Sequence, residues 1–207
     1  MAKLTESDFT RYSDKEEVEH LNWNELERKE VADCKIFKVN MSLRKSQDGR
    51  EGHFVSLDSP DWVTMMPIFT GKDGTEYFIM EKQFRHGTGR VTVEFPSGLV
   101  EKGESAKVAC ARELKEETGL EAGKIELLGS TCPNSAFMYN TANYLLVSDL
   151  ELVSSQDLDA NEQIEVVYIP VEEAIKRMGA KPFDNGTMMT AIAYFMRSRR
   201  KKNEKGE

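Results

Sequence analysis

Apolar and polar positions divide the chain into a polar opening, a long region with strand-like spacing, one capped helix, more strands and two closing helices. Residues 1–28 are mostly polar, and Val18, Leu21 and Leu26 give only a weak helical pattern. From Glu30 the spacing changes. Ile36, Phe37, Val39, Met41 and Leu43 suit an extended segment, Asp48-Gly49 marks a turn, and residues 53–57 return as a partner strand. A second block follows: a β-branched, apolar strand over 62–69, a turn at 71–74, and a strand over 76–81. Residues 85–90 hold two glycines and read as a loop, and the next strand, 91–95, is stopped by Pro96.

The stretch 105–118 reads as a helix with both ends marked. Ser105 suits its N-cap, and Gly119 stands where a left-handed residue closes a helix. Strands are predicted near 125–130, 143–147 and 164–169, and Pro170 opens a helix through 178. A last helix over about 187–199 carries Met188, Ile192, Phe195 and Met196 on one face. The order implies an α/β protein, with a mixed sheet covered by helices on both faces and a small N-terminal β element. The boundaries expected are 1–58 for the N-terminal extension and β element, 59–200 for the main domain, and 201–207 for a basic, disordered tail.

Composition narrows the class without choosing a function. The 207 residues, 39% hydrophobic and 31% charged, suit one well-filled core with an accessory element. No apolar run is long enough to cross a bilayer, and the N-terminus lacks the apolar core of a secretory signal. Cys34, Cys110 and Cys132 have no metal-type spacing and read as reduced thiols packed as small apolar residues, which implies a cytoplasmic protein. A net charge of −8 argues against general affinity for nucleic acid or an anionic membrane. The exception is 197–205, with six basic residues, read either as a frayed helix end or as an RNA- or partner-binding tail.

The chemistry is concentrated in the central helix. Glu113, Glu116 and Glu117 stand at i, i+3 and i+4, so their carboxylates share one side of the helix and repel one another. Hard oxygen ligands at such spacing suit Mg²⁺ or Mn²⁺, whose charge relieves the repulsion. A solvated acidic face is the bland alternative, and the surrounding residues decide between them. Gly98, Glu104, Arg112-Glu113-Leu114, Glu116-Glu117 and Gly119-Leu120 match every fixed position of the Nudix box, G-x5-E-x7-R-E-U-x-E-E-x-G-U, where U is bulky aliphatic. Seven identities at fixed offsets arise by chance about once in 10⁸ starting positions, so the match outweighs the bland reading. Within the motif Gly98 suits a sharp turn after Pro96, and Arg112 can fork onto neighbouring carboxylates and orient them. Glu104 lies near the helix start, where the dipole favours a negative charge.

The chain thus resembles the Nudix superfamily, and the resemblance implies an α/β/α sandwich and an enzyme that hydrolyses a nucleoside diphosphate linked to another moiety. It further implies Mg²⁺, with Mn²⁺ an option, held by Glu113 and Glu117 with Glu116 assisting and the backbone carbonyl of Ser97 contributing. Two stretches resemble the ADP-ribose and nucleotide-sugar pyrophosphatase branch: Glu94-Phe95-Pro96-Ser97-Gly98, and Glu81-Lys82-Gln83-Phe84-Arg85. In that branch Arg85, Glu94 and Gly98 fall at substrate-binding positions, and an arginine is suited to forked phosphate binding. Pro133 lies at about the distance of a marker proline in that branch, although the residues after it lack the branch's acidic markers.

The resemblance also implies a homodimer built through the N-terminal strands, with an aromatic residue stacking on the adenine. Trp23 is the candidate for that contact, and Trp62 reads rather as core packing. A catalytic base is expected on a late, acidic, mobile loop over 154–163, at Glu162. Relatives often carry a second carboxylate two residues earlier, where this chain has Ala160, and Asp159 is out of register. Two further functions stand as alternatives: hydrolysis of altered (d)NTPs or dinucleoside polyphosphates, and non-catalytic sensing of a nucleotide sugar.

Overall fold

Alternation along three central strands builds the main sheet and separates two layers. β4 (Trp62–Thr70) and β9 (Ala142–Leu152) pair in parallel, with Met65 opposite Leu145, while β5 (Glu76–Arg85) runs antiparallel to β4. Val63, Met65, Leu145 and Val147 point to one face, and Met66, Ile68, Phe78, Met80 and Tyr144 to the other. Both faces are therefore apolar, as a sheet sandwiched between helices requires. The computed structural model describes Tyr12 and residues 18–205.

The sheet runs β10-β5-β4-β9-β8, where β8 is Leu120–Thr131 and β10 is Ile164–Pro170. Two short strands lie off this path: β6 (Arg90–Glu94) pairs with β5, and β7 (Ser97–Leu99) pairs with β4. Helix α1 (Ala106–Thr118) covers one face with Ala109, Cys110 and Leu114. The other face is covered by α2 (Val171–Arg177) and α3 (Gly186–Lys205) through Ala174, Met188, Ala191, Ile192 and Phe195. This is the α/β arrangement with a mixed sheet that the pattern implied.

The caps of α1 follow the sequence. The Ser105 hydroxyl accepts from the Val108 amide at 3.4 Å, and Gly119 adopts φ +73° with its N–H donated to Lys115 O at 2.8 Å. Trp62 packs against the α3-side core.

The chain divides into two units, Met1–Asp58 and Ser59–Glu207. The first contains a three-stranded antiparallel sheet of β1 (Trp23–Asp33), β2 (Lys38–Ser46) and β3 (Glu51–Asp58). β1 corrects the weakly helical reading of its region. Below Trp23 the described residues give one 3₁₀ turn, Glu19–Leu21, and the remainder of the opening stretch lies outside the described residues. β1 is polar because its residues after Trp23 are all exposed, so no apolar alternation announces it, and pairing with β2 along its whole length holds it extended.

Three further expectations change. The tail is helical through Lys205 where disorder was predicted from 201; an Arg200–Glu204 pair at 2.9 Å and a Lys202–Glu126 pair at 3.8 Å accompany that last turn, and 206–207 lie outside the described residues. Only Cys110 packs in the core, whereas Cys34 and Cys132 are exposed, because both fall in or beside loops. Met196 is largely exposed although it shares a helix with the buried Ile192 and Phe195. Among the described residues no helix is long and apolar enough to cross a membrane.

Candidate active site

The C-terminal half of α1, the ends of β5 and β6, and β7 bring an unusual density of carboxylates into the protein. Glu117 is 4% exposed on the sheet-facing side of α1 and accepts a hydrogen bond from the Ser97 amide at 3.0 Å. Glu113 is half-buried beside it, and Glu116 is the most exposed of the three. The trio therefore straddles the boundary of the helix face, graded from interior to solvent.

Gly98 has a different reason from the sharp turn predicted. It lies in β7 with an ordinary backbone, opposite Val63, and a Cβ there would stand 2.0–2.4 Å from the carboxyl atoms of Glu113. Glycine leaves the room that lets the Glu113 carboxylate lie against the backbone, and any Cβ would displace it.

Arg112 organises the outer part of the cluster. Its guanidinium donates to both oxygens of Glu104 at 3.0 Å, to Glu113 at 2.8 Å, to Glu116 at 3.0 Å and to the Leu99 carbonyl at 3.0 Å. The bond to Glu104 is the largest influence raising its pKa. Glu104, in turn, accepts from the Glu101 amide at 3.0 Å, so the loop before α1, Arg112 and two box glutamates form one network.

On the sheet side stand two buried glutamates, Glu81 on β5 and Glu94 on β6, opposite each other in register. Glu94 is satisfied: it accepts from Arg85 Nε at 2.6 Å, from the Thr92 hydroxyl at 2.8 Å, and from the Asn185 amide. Glu81 is not, because its buried Oε1 has no hydrogen-bond partner. Burial, and then the charge of Glu94, raise the Glu81 pKa against the pull of Arg85. Burial also raises that of Glu117, followed by the charges of Glu81 and Glu113, with the Ser97 amide opposing. Glu113 is raised by burial, with Arg112 pulling the other way. For Arg85 burial pulls downward, but the Glu94 bond and the charges of Glu94, Glu117 and Glu81 outweigh it.

Glu162 lies in an exposed turn, its carboxylate accepting from the Asp159 amide at 3.2 Å, and its charge reaches Glu81, Glu113 and Glu117. The first part of the loop expected to be mobile is tied down. The Val153 and Ser154 amides donate to Gly119 O, the Asp157 amide to Glu116 O at 2.8 Å, and the Gln156 side chain to Glu117 O at 2.6 Å. These bonds satisfy carbonyls that a helix end leaves open. A cavity of about 430 Å³ opens there, lined in part by Arg112, Glu116 and Gln156.

The structure thus assembles Arg85, Glu94, Ser97, Gly98, Arg112, Glu113, Glu116 and Glu117 in the second unit, with Glu162 electrostatically coupled to them. Trp23 belongs to the first unit, where it meets Phe54 edge-on at 5.2 Å and has the Arg50 guanidinium 5.6 Å above its ring. Glu81 and Gln156 were missed. Glu81 had a signal: a charge directly after the apolar run Tyr77–Met80, four residues from Arg85 and so on the same side of the strand.

Among the described residues no three or more His, Cys, Asp or Glu side chains are gathered as a ready-made metal cage. The donors nevertheless fit a divalent cation. They are carboxylates, one buried oxygen has no partner, and Gly98 clears room for another. Mg²⁺ is usually held by a few carboxylates together with waters and substrate phosphates, so an incomplete cage suits it.

A family model for the NUDIX domain matches residues 61–190. The chain belongs to the Nudix family. Its Nudix box carries the carboxylate cluster just described. The chain is 34% identical over 160 residues to the ADP-ribose pyrophosphatase of Saccharomyces cerevisiae, covering 70% of this chain and 68% of that one. It is 32% identical over 117 residues to the ADP-ribose pyrophosphatase of Bacillus subtilis, where the match covers 56% of this chain and 63% of the relative's length. A mouse ADP-sugar pyrophosphatase is 31% identical over 141 residues, 66% of this chain and 65% of that one. A crystal structure of an ADP compounds hydrolase superposes with a TM-score of 0.74 over 89% of this chain and 96% of its own, at 21% identity, which shows the shared fold.

Proposed function

We propose that this Nudix protein is a divalent-metal-dependent hydrolase that splits ADP-ribose, or a related nucleoside diphosphate sugar, into a nucleoside monophosphate and a sugar phosphate. The observation that carries the proposal is the juxtaposition of Arg85 with the box glutamates. An anchored cation lies beside a carboxylate cluster suited to Mg²⁺ or Mn²⁺, as a diphosphate substrate requires. The pyrophosphatases named above, matched over more than half of this chain, support the substrate class.

Glu113 and Glu117, with Glu116 and the Ser97 carbonyl, are the groups to hold the cation. When bound it neutralises the diphosphate and favours formation of the attacking hydroxide. Arg112 fixes Glu113 and Glu116 through the bonds described, so their oxygens keep a set direction. Arg85 is held at Nε by Glu94, and among the described residues its two Nη groups carry no hydrogen bond. That leaves a fixed fork for phosphate oxygens. Water attacks one phosphorus, a P–O bond forms, and the bridging P–O bond breaks. Glu162, exposed yet coupled to the cluster, takes the proton of the water.

The exposed N-terminal sheet supports a homodimer. Leu26, Val31, Phe54 and Val55 are all largely exposed on β1 and β3, and a three-stranded sheet is more stable when packed against another surface. Trp23, at its margin, is the candidate to meet the base. Three free thiols suit the reducing cytoplasm.

The test is a turnover panel with Mg²⁺, covering ADP-ribose, ADP-glucose, GDP-mannose, UDP-glucose, NADH, diadenosine polyphosphates and 8-oxo-dGTP, with products separated by chromatography. A nucleotide sugar leading, with a nucleoside monophosphate released, is the expected result. Preferential cleavage of triphosphates or dinucleotides would refute the substrate class, and binding without turnover would make the protein a sensor.

A further inference from the structure

Glu81 has no assigned role in the mechanism above, and its surroundings are hard to explain as structure alone. It lies in the interior of β5, only 1% exposed, flanked in the sheet by Glu94 on β6 and Val166 on β10. Ile79, two residues earlier and so on the same side of the strand, packs in the core layer beneath α1, which directs Glu81 toward that helix. The sheet position suits an apolar side chain, yet it holds a carboxyl group. Buried carboxyl groups in proteins are ordinarily paired, hydrogen-bonded or bound to metal.

None of the ordinary partners is present for one of its oxygens. Arg85, the nearest cation by electrostatic influence, gives its Nε to Glu94. Thr92 and Asn185 also donate to Glu94 rather than to Glu81. Oε1 of Glu81 is enclosed and has no hydrogen bond. Glu94 stands opposite it in register, and Glu81 also interacts electrostatically with Glu113, Glu117 and Glu162, so the orphaned oxygen lies in a field of like charges.

We propose that Glu81 is an additional ligand of the divalent cation, supplied by the sheet and facing the ligands supplied by α1. The proposal rests on the metal-dependent reading above. It explains why a carboxyl group is retained inside an apolar strand. It also answers the incomplete cage: α1 offers Glu113 and Glu117 from one side, and Glu81 offers an oxygen from the other. A cation between them satisfies Oε1 and removes the repulsion in one step.

The measurement is binding of Mn²⁺ alone to the full chain, followed by the electron paramagnetic resonance signal of free Mn²⁺, with thermal midpoints recorded with and without the ion. Glu81→Gln keeps the shape and removes the charge, and Glu81→Ile places a residue suited to a buried strand, so the pair guards against misfolding. Both variants are expected to keep or raise the midpoint without metal, to bind Mn²⁺ at least about tenfold more weakly, and to lose most of the Mn²⁺-induced rise in midpoint. Unchanged Mn²⁺ affinity in a folded variant, while the parent protein binds the ion and turns over substrate, overturns the role of Glu81 alone. A parent protein that binds no Mn²⁺ overturns both this proposal and the metal-dependent reading.

Discussion

Gly98→Ala separates a steric role near the chemistry from a role in folding. The added Cβ would lie 2.0 Å from the Glu113 carboxyl carbon and 2.2 and 2.4 Å from its two oxygens. Ordinary contact is near 3.5–4 Å, so the carboxylate must retreat by about 1 Å or more. The backbone does not oppose the change, since Gly98 is outside the left-handed region. Glu113 is a flexible side chain, but the Arg112 bond at 2.8 Å holds it. Weakening one partly exposed charged bond costs about 1 kcal/mol. Replacing glycine restricts the unfolded chain and offsets about 0.4–1 kcal/mol of that. The net loss is about 1 kcal/mol or less, a fall of roughly 2–4 °C in the thermal midpoint. A displacement of about 1 Å in a positioned catalytic group costs activity about 10²-fold. The assay is steady-state hydrolysis of the leading substrate beside a thermal melt. Gly87→Ala is the control, because a Cβ there meets nothing within 4 Å and Gly87 has no positive φ. Activity of Gly98→Ala within about threefold of the parent would refute the argument that Glu113 must stay where it is. A drop of more than about 10 °C would show that Gly98 serves folding instead.

Glu117→Gln removes charge with little change of shape, and turnover should fall by about three or more orders of magnitude while circular dichroism stays native; near-parental turnover would sink the assignment of Glu117. Glu81 and Glu117 both have pKa values raised above the ordinary 4.5, so their neutral forms favour the fold. Their contribution is complete below that value and is lost as pH rises through the raised values. Melts in EDTA should therefore show a midpoint falling from about pH 5 upward, with saturating Mg²⁺ removing most of the slope; a metal-free midpoint flat across that range would contradict the burial argument. Deletion of 1–58 is expected to leave the second unit folded and monomeric by sedimentation, and a truncated protein that still dimerises would place the interface elsewhere.

Much of the main sheet was readable from spacing, because strands buried on both faces are apolar throughout and the turns between them carry glycine. Helix α1 was readable at both ends, since Ser105 and Gly119 act through their own backbone and side chain. β1 was not readable, because its exposed residues carry no alternation and pairing with β2 alone holds it extended. A frayed helix end over 197–205 was one reading of the sequence, but order past residue 200 was not expected, because partners such as Glu126 lie far away in sequence.

The sequence by itself determined the chemical type of the site. Three glutamates at i, i+3 and i+4, with Arg112 and the two box glycines at set distances, specify a carboxylate cluster on one helix, because helical geometry converts spacing into proximity. Only the tertiary structure decided what lies opposite. Register between β5 and β6 sets Glu81 against Glu94 and leaves Arg85 anchored, and β7 brings the Ser97 amide to Glu117 and the Gly98 backbone against Glu113. Those contacts join residues 9 to 20 positions apart, from Arg85 and Glu94 to Ser97 and Glu117. No local periodicity encodes them; they exist because the sheet and the helix share one buried layer.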